Sequence, residues 1–178
     1  MHYIKRIYNC ISSIMLVCLL LLLFLLIGVR LFGYYPYVVL SGSMEPLYQT
    51  GSMVYVEEVT AEEIEVGDVI TFYMIDNATI VTHQVIEIDE INGYYYTQGL
   101  ANETADGLPT TIESIIGKSS FSIPYLGFIV AYLTTPPWSY ILIGLVLMWM
   151  IGVHMIDLWE KDKKENMNQL NRKDLKVY

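Results

Sequence analysis

"TIVTHQVIEIDEINGYYYTQG", Thr79 to Gly99, decides what kind of fold this chain adopts. Apolar and polar residues alternate through "TIVTHQVIEID", the period of two that a half-buried strand requires. "YYYTQG" is again aromatic and β-branched. Between the runs lies Asn92-Gly93, a pair that accepts the positive φ of a tight hairpin turn. An antiparallel hairpin is therefore expected. It also gives His83 a fixed direction, because strand residues project alternately to the two faces of a sheet.

The same texture extends outward. "SMVYVEEV", "DVITFYMI" and "SIIGKSSF" are short, rich in β-branched and aromatic residues, and bounded by Gly, Asn and Asp turns. Only "TAEEIEVGD" hints at helix, through a Thr60/Glu63 capping-box pattern worth about one turn. The middle of the chain is thus expected to be mainly antiparallel β with an acidic surface.

The ends are different. Over half of the 178 residues are hydrophobic (54%), and the surplus is concentrated in two runs. Ile11 to Val29 holds 19 residues without a charge until Arg30, about 28 Å as a helix and enough to cross a bilayer core. Trp138 to Ile156 has similar length, with Trp138 and Trp159 placed as interface anchors would be. The first run is followed by "GVRLFGYYP" rather than a small-x-small cleavage site, so an uncleaved anchor is expected in place of a removed signal sequence.

Basic residues orient these spans. Lys5 and Arg6 precede the first; Lys161, Lys163, Lys164, Arg172, Lys173 and Lys176 follow the second; between them only Arg30 and Lys118 are basic. The positive-inside rule then predicts a cytoplasmic N-terminus (1–10), a transmembrane helix (11–29), an extracytoplasmic β-rich domain (30–137), a second transmembrane helix (138–156) and a basic cytoplasmic tail (157–178). The net charge of −9 belongs mostly to the outer domain, which excludes a nucleic-acid partner. Cys10 and Cys18, the only cysteines, lie at the first span, so the outer domain has no disulfide or thiolate chemistry. Glu57, Glu58, Glu62, Glu63 and Glu65 match no calcium-loop spacing and read as a solvated face. Asn77-Ala78-Thr79 and Asn102-Glu103-Thr104 fit a glycosylation sequon that often matches by accident.

One stretch asks for a functional reading. "VVLSGSMEPLYQTG", Val38 to Gly51, presents Ser41-Gly42-Ser43 about a dozen residues after the first span. Ser and Gly serve turns for structural reasons. A nucleophile also needs small neighbours. A serine hydroxyl needs a base to take its proton, and His83 is the one histidine of the outer domain. A carboxylate commonly orients such a histidine, and Asp106 in "TQGLANETADGLP" is one candidate. Spacing alone makes this a weak triad, since many proteins contain Ser, His and Asp in some order.

Taken together, "VVLSGSMEPLYQTGS", "VGDVITF", "VTHQVIEI", "YYYTQGLANETADG" and "SIPYLGF" resemble a type I signal peptidase of the ER type, the serine–histidine class also found in archaea and some Gram-positive bacteria. The resemblance implies a membrane-anchored β domain between two transmembrane helices. It also implies a serine endopeptidase that removes signal peptides from secretory precursors at the outer face of a plasma membrane, or of the ER membrane in a eukaryote. It implies Ser43 as nucleophile, His83 as general base and Asp106 as the acid that completes the site. Ser41 and the Ser43 backbone N–H would form the oxyanion hole, and Gly42, Met44 and Pro46 would border the substrate. No cofactor or metal is called for; the partners are precursor proteins and the lipid bilayer, with any membrane complex unspecified. A serine–lysine mechanism does not fit, because Lys118 lies outside these motifs. Gln84, Gln98 and Leu100 stand where the family pattern has Arg, Lys and Asp, and an exchange of an ion-pair network for neutral packing beside the site is expected. The rival reading is a non-enzymatic or impaired accessory factor in surface-protein or pilus assembly.

Overall fold

The computed structural model describes residues 2–174. The tip of the expected basic tail (175–178) and the side chains from 168 onward, Arg172, Lys173 and Lys176 among them, lie outside the described residues. Two compact units are present, one made of residues 1–20 and 133–178, the other of residues 21–132.

In the first unit, helix α1 (His2–Leu26) runs antiparallel to helix α3 (Trp138–Asp174). Tyr8 stacks on Trp149 at 4.0 Å between ring centroids, and Trp149 Nε1–H donates to Ser12 Oγ at 3.0 Å. Lys5 bridges Asp157 at 2.8 Å and Glu160 at 2.7 Å. Lys5–Leu26 and Trp138–Met167 are long and apolar enough to cross a membrane. α1 stops short of the expected Val29: residues Gly28–Phe32 form a 3-10 turn, closed by Gly33 in the left-handed region at φ 84°. α3 instead runs on beyond Ile156, because "DLWEKDKKENMNQLNRKD" is rich in good helix formers and has no Gly or Pro to stop it.

The second unit is a seven-stranded sheet in which each neighbouring pair is antiparallel. Its strands are β1 (Tyr34–Val38), β2 (Met53–Glu57), β3 (Val69–Tyr73), β4 (Ile80–Asp89), β5 (Tyr94–Gln98), β6 (Thr110–Thr111) and β7 (Ile115–Ile123). Their order is β1-β2-β7-β3-β4-β5-β6. The expected hairpin is β4–β5, and its connection is four residues long. Asp89 carries that loop: its carboxylate accepts from the Ile91 and Asn92 backbone N–H groups and from the Asn92 side chain. These bonds hold the Asp89 carboxyl below the usual range. Asp76 does the same for the β3–β4 turn through Thr79 and Ala78. The helical hint at Thr60 becomes one 3-10 turn, Ala61–Glu63, with the Thr60 N–H donating to Glu63 Oε2 at 2.7 Å.

Strand β2 is buried on both faces, so its sequence reads as a continuous apolar run. Val54 and Val56 pack with Met44, Tyr48 and Val69. Met53 and Tyr55 pack on the other side with Val29 and Leu126, against the last turn of α1 at Leu22, Leu25 and Leu26. Leu126 belongs to helix α2 (Leu126–Thr134). A third cluster, Ile64, Ile70, Phe72, Val85 and Tyr95, lies under β3, β4 and β5.

β7 lies between β2 and β3, and its approach to β2 is tight at Gly117. A Cβ there would sit 2.0 Å from the Glu57 carbonyl oxygen, a backbone atom that cannot swing away. Gly117→Ala should therefore destabilise the protein by about 1–3 kcal/mol, the usual cost of overpacking. Denaturant unfolding in detergent checks this, and an unchanged midpoint would mean that the two strands are not this close.

Candidate active site

Ser43 sits on the loop that joins β1 to β2. The base of this loop is closed by backbone bonds from Val39 N–H to Ser52 O at 2.9 Å and from Gly51 N–H to Val39 O at 2.8 Å. Gly51 has φ 84°, and a Cβ would overlap the Phe128 ring at 2.0 Å, so only glycine fits. Inside the loop Met44 and Tyr48 plunge into the core at 1% and 8% exposure. The Tyr48 hydroxyl and the Ser119 hydroxyl are hydrogen-bonded. With these two side chains committed inward, the small residues Ser41, Gly42 and Ser43 are left at the outer side. The turn then presents the serine instead of burying it.

His83 is on β4, with Ile70 of β3 opposite it, and it is 8% exposed. Its ring touches both expected partners. Nε2 lies 3.1 Å from Ser43 Oγ, and Nδ1 lies 2.6 Å from Asp106 Oδ2. An ionised carboxylate can only accept, so Nδ1 carries the proton and Nε2 keeps its lone pair toward the serine hydroxyl. Ser41 Oγ is 3.3 Å from Ser43 Oγ. The structure thus brings Ser41, Ser43, His83 and Asp106 into one line of contacts. Gly42 links Ser41 to Ser43 in the chain, and Pro46 is exposed on the same loop. Met44 is different: its side chain belongs to the core and offers at most the floor of a groove, because the turn uses it as an anchor.

That groove, about 320 Å³, runs between Val38–Ser41 and Ile80–His83, with Ser43 on its wall. Asn102 also lines it. A second hollow of about 420 Å³ opens on the Asp106 side of the imidazole.

Three residues at this site escaped the sequence reading. Thr97 Oγ1–H donates to Asp106 Oδ2 at 2.6 Å, while the Asp106 N–H donates to the Thr97 carbonyl at 2.8 Å. Thr97 is 1% exposed and holds Asp106 at both its carboxylate and its backbone N–H. Gly99 allows the loop after β5 to close on the nucleophile: a Cβ there would lie 2.7 Å from Ser43 O and 3.0 Å from His83 Nε2. The Ala101 N–H then donates to Ser43 O at 2.8 Å. Asn102, part of a glycosylation sequon in the sequence, lines the groove. Alternation in "YYYTQG" does put Thr97 and Gly99 on one face, a signal that gains meaning only once β5 is paired with β4.

The expected neutral packing beside the site is not what the three altered positions make. Gln84 and Gln98 face each other across β4 and β5, one residue out of phase with His83 and Thr97, and so project to the opposite face. Gln84 Nε2 donates to Gly67 O and Gln98 Nε2 to Asn102 O, each at 2.8 Å. Leu100 is exposed. Lys118, the lysine of the sheet, is paired with Asp68 at 2.7 Å.

Comparison with known proteins agrees with this geometry. Residues 10–86 match the family described as "Signal peptidase, peptidase S26". The chain is similar to Signal peptidase I W of Bacillus subtilis, 36% identical over 131 residues that cover 67% of this chain and 68% of that protein. It is similar to the signal peptidase complex catalytic subunit SEC11C of Rattus norvegicus, 28% identical over 120 residues, covering 61% of this chain and 62% of that one. The corresponding subunit sec11 of Penicillium rubens is 29% identical over 126 residues, covering 64% of this chain and 71% of that one. With a mainly antiparallel sheet flanked by two apolar helices and a serine box in its β1–β2 loop, this chain belongs to the signal peptidase family, peptidase S26.

Proposed function

We propose that this protein is a membrane-bound serine endopeptidase that removes signal peptides from secreted precursors, working through Ser43, His83 and Asp106. The observation that carries the reading is the unbroken contact line from the Ser43 hydroxyl through the His83 ring to the Asp106 carboxylate. In this mechanism His83 Nε2 takes the proton as Ser43 Oγ attacks the scissile carbonyl. Asp106, itself held by Thr97, stabilises the imidazolium that forms. The Ser41 hydroxyl and the Ser43 backbone N–H receive the developing oxyanion, a placement that is often the largest single catalytic contribution. His83 next gives its proton to the leaving amine, and water releases the signal peptide from the acyl-enzyme. Gly42 leaves room for an extended substrate backbone, and Pro46 borders the same loop.

A precursor held in the bilayer by its own apolar helix shares the plane of the enzyme's anchor, which raises their effective concentration. Both termini lie in the cytoplasm on this reading, residues 11–29 and 138–156 cross the membrane, and the β domain of 30–137 faces outward. An accessory factor without activity would have no use for three aligned groups at hydrogen-bond distance.

Cleavage of a synthetic precursor by purified protein in detergent tests the reading. Ser43→Ala should abolish cleavage with expression and insertion intact, and processing by that variant would exclude the serine mechanism. Asp106→Asn should lower kcat by about 10²–10⁴-fold, the scale of losing a triad carboxylate. Thr97→Val should lower kcat more than it changes KM, and Thr97→Ser should restore most of the loss; a Ser variant no better than Val would make Thr97 a packing residue only.

Orientation is tested separately in intact cells. A cysteine at Asp76 should react with an impermeant thiol reagent, and one at Asp162 should be protected until the membrane is broken. The reverse pattern would invert the enzyme.

A further inference from the structure

Two hollows flank the imidazole, and the mechanism above uses one of them. The groove with Ser41 and Ser43 on its wall is where a signal peptide's carbonyl must lie to be attacked. The other hollow, about 420 Å³, shares only Val81 and His83 with it and is bounded by Asp106 in place of the serines. Its wall is largely apolar, from Phe72 in β3 and Ile75 in the turn after it to Leu108 and Pro109 before β6, and Asp106 is the one carboxylate in its lining. It also contains Thr110, 6% exposed, whose buried hydroxyl has no hydrogen-bond partner among the described residues.

Stereochemistry says which part of a substrate reaches it. His83 Nε2 must hand its proton to the leaving amine, so the chain beyond the scissile bond has to pass over the imidazole. The acyl side already occupies the serine groove. The continuation therefore leaves across His83 toward the Asp106 side, where the second hollow opens. We infer that this hollow is a binding site for the mature side of the precursor, taking an apolar side chain from the first residues after the cut. Apolar lining selects for apolar side chains, and Asp106 at the wall adds discrimination against acidic ones.

This inference rests on the peptidase reading, and the experiment separates the two. Two precursor peptides in detergent are compared, identical except for leucine or alanine at the first two positions after the cleavage site. The wild-type enzyme should favour the leucine peptide in kcat/KM. Leu108→Trp and Met74→Trp, both at residues that line the hollow, should each lower the leucine-to-alanine ratio about tenfold, the scale on which an apolar pocket discriminates. The ratio is internal to each variant, so a general loss of activity does not alter it. A wild-type ratio at or below one, or a ratio that neither variant changes, overturns the inference while leaving the peptidase intact. A wild-type protein that cuts neither peptide overturns the peptidase reading, and this inference with it.

Discussion

One imidazole ring has to meet a hydroxyl with one nitrogen and a carboxylate with the other, and strand β4 makes that possible. His83 is held by ladders on both sides, β3 across from it and β5 one residue further along. Two loops then converge on a ring that cannot turn away. The serine loop is anchored by Met44 and Tyr48 in the core, and the loop after β5 by the double bond pair between Thr97 and Asp106. The Ala101 N–H to Ser43 carbonyl bond ties the two loops directly. Preorganisation of this kind matters because catalytic groups lose most of their effect when displaced by an ångström.

The acidity of the β domain has little to do with chemistry. Asp76 and Asp89 accept first from the side chains of Thr79 and Asn92 and then from backbone N–H groups of their own turns, which is why their carboxyls are held low. Glu62 and Glu113 are lowered mainly by local backbone and hydroxyl donors, each at the start of a 3-10 turn. Asp68 is paired with Lys118, the lysine of the sheet. The carboxylate that meets the imidazole is the one that Thr97 also grips.

Strands with clear alternation were legible in the sequence, and so were the three groups of the contact line. What was not legible has definite causes. β1, "YYPYV", contains a proline and directly follows the 3-10 turn, so nothing local marks it as a strand. It is tolerated because β1 is the edge of the sheet, where a missing N–H can face outward. β6 is two residues long and exists only because β5 offers it a partner. Asn92-Gly93 signalled the hairpin correctly, but Asp89 bonds the backbone ahead of it and lengthens the turn to four residues. Thr97 and Gly99 escaped for a related reason: their importance lies in what stands across from them, and a single chain read in order does not show its own neighbours.

The three altered positions follow the same logic on the reverse face. Gln84 and Gln98 are directly opposed in the β4–β5 ladder. With arginine and lysine there, as in the family pattern, two like charges would confront each other, an arrangement that destabilises a cross-strand pair. The nearby aspartate of that pattern would offset the excess charge. Two glutamines need no such counter-charge, since each finds a backbone carbonyl instead. Leu100 is then free of any electrostatic duty and lies exposed. The Gln84–Gln98 pair thus lies on the face opposite His83 and takes no part in the line from Ser43 to Asp106.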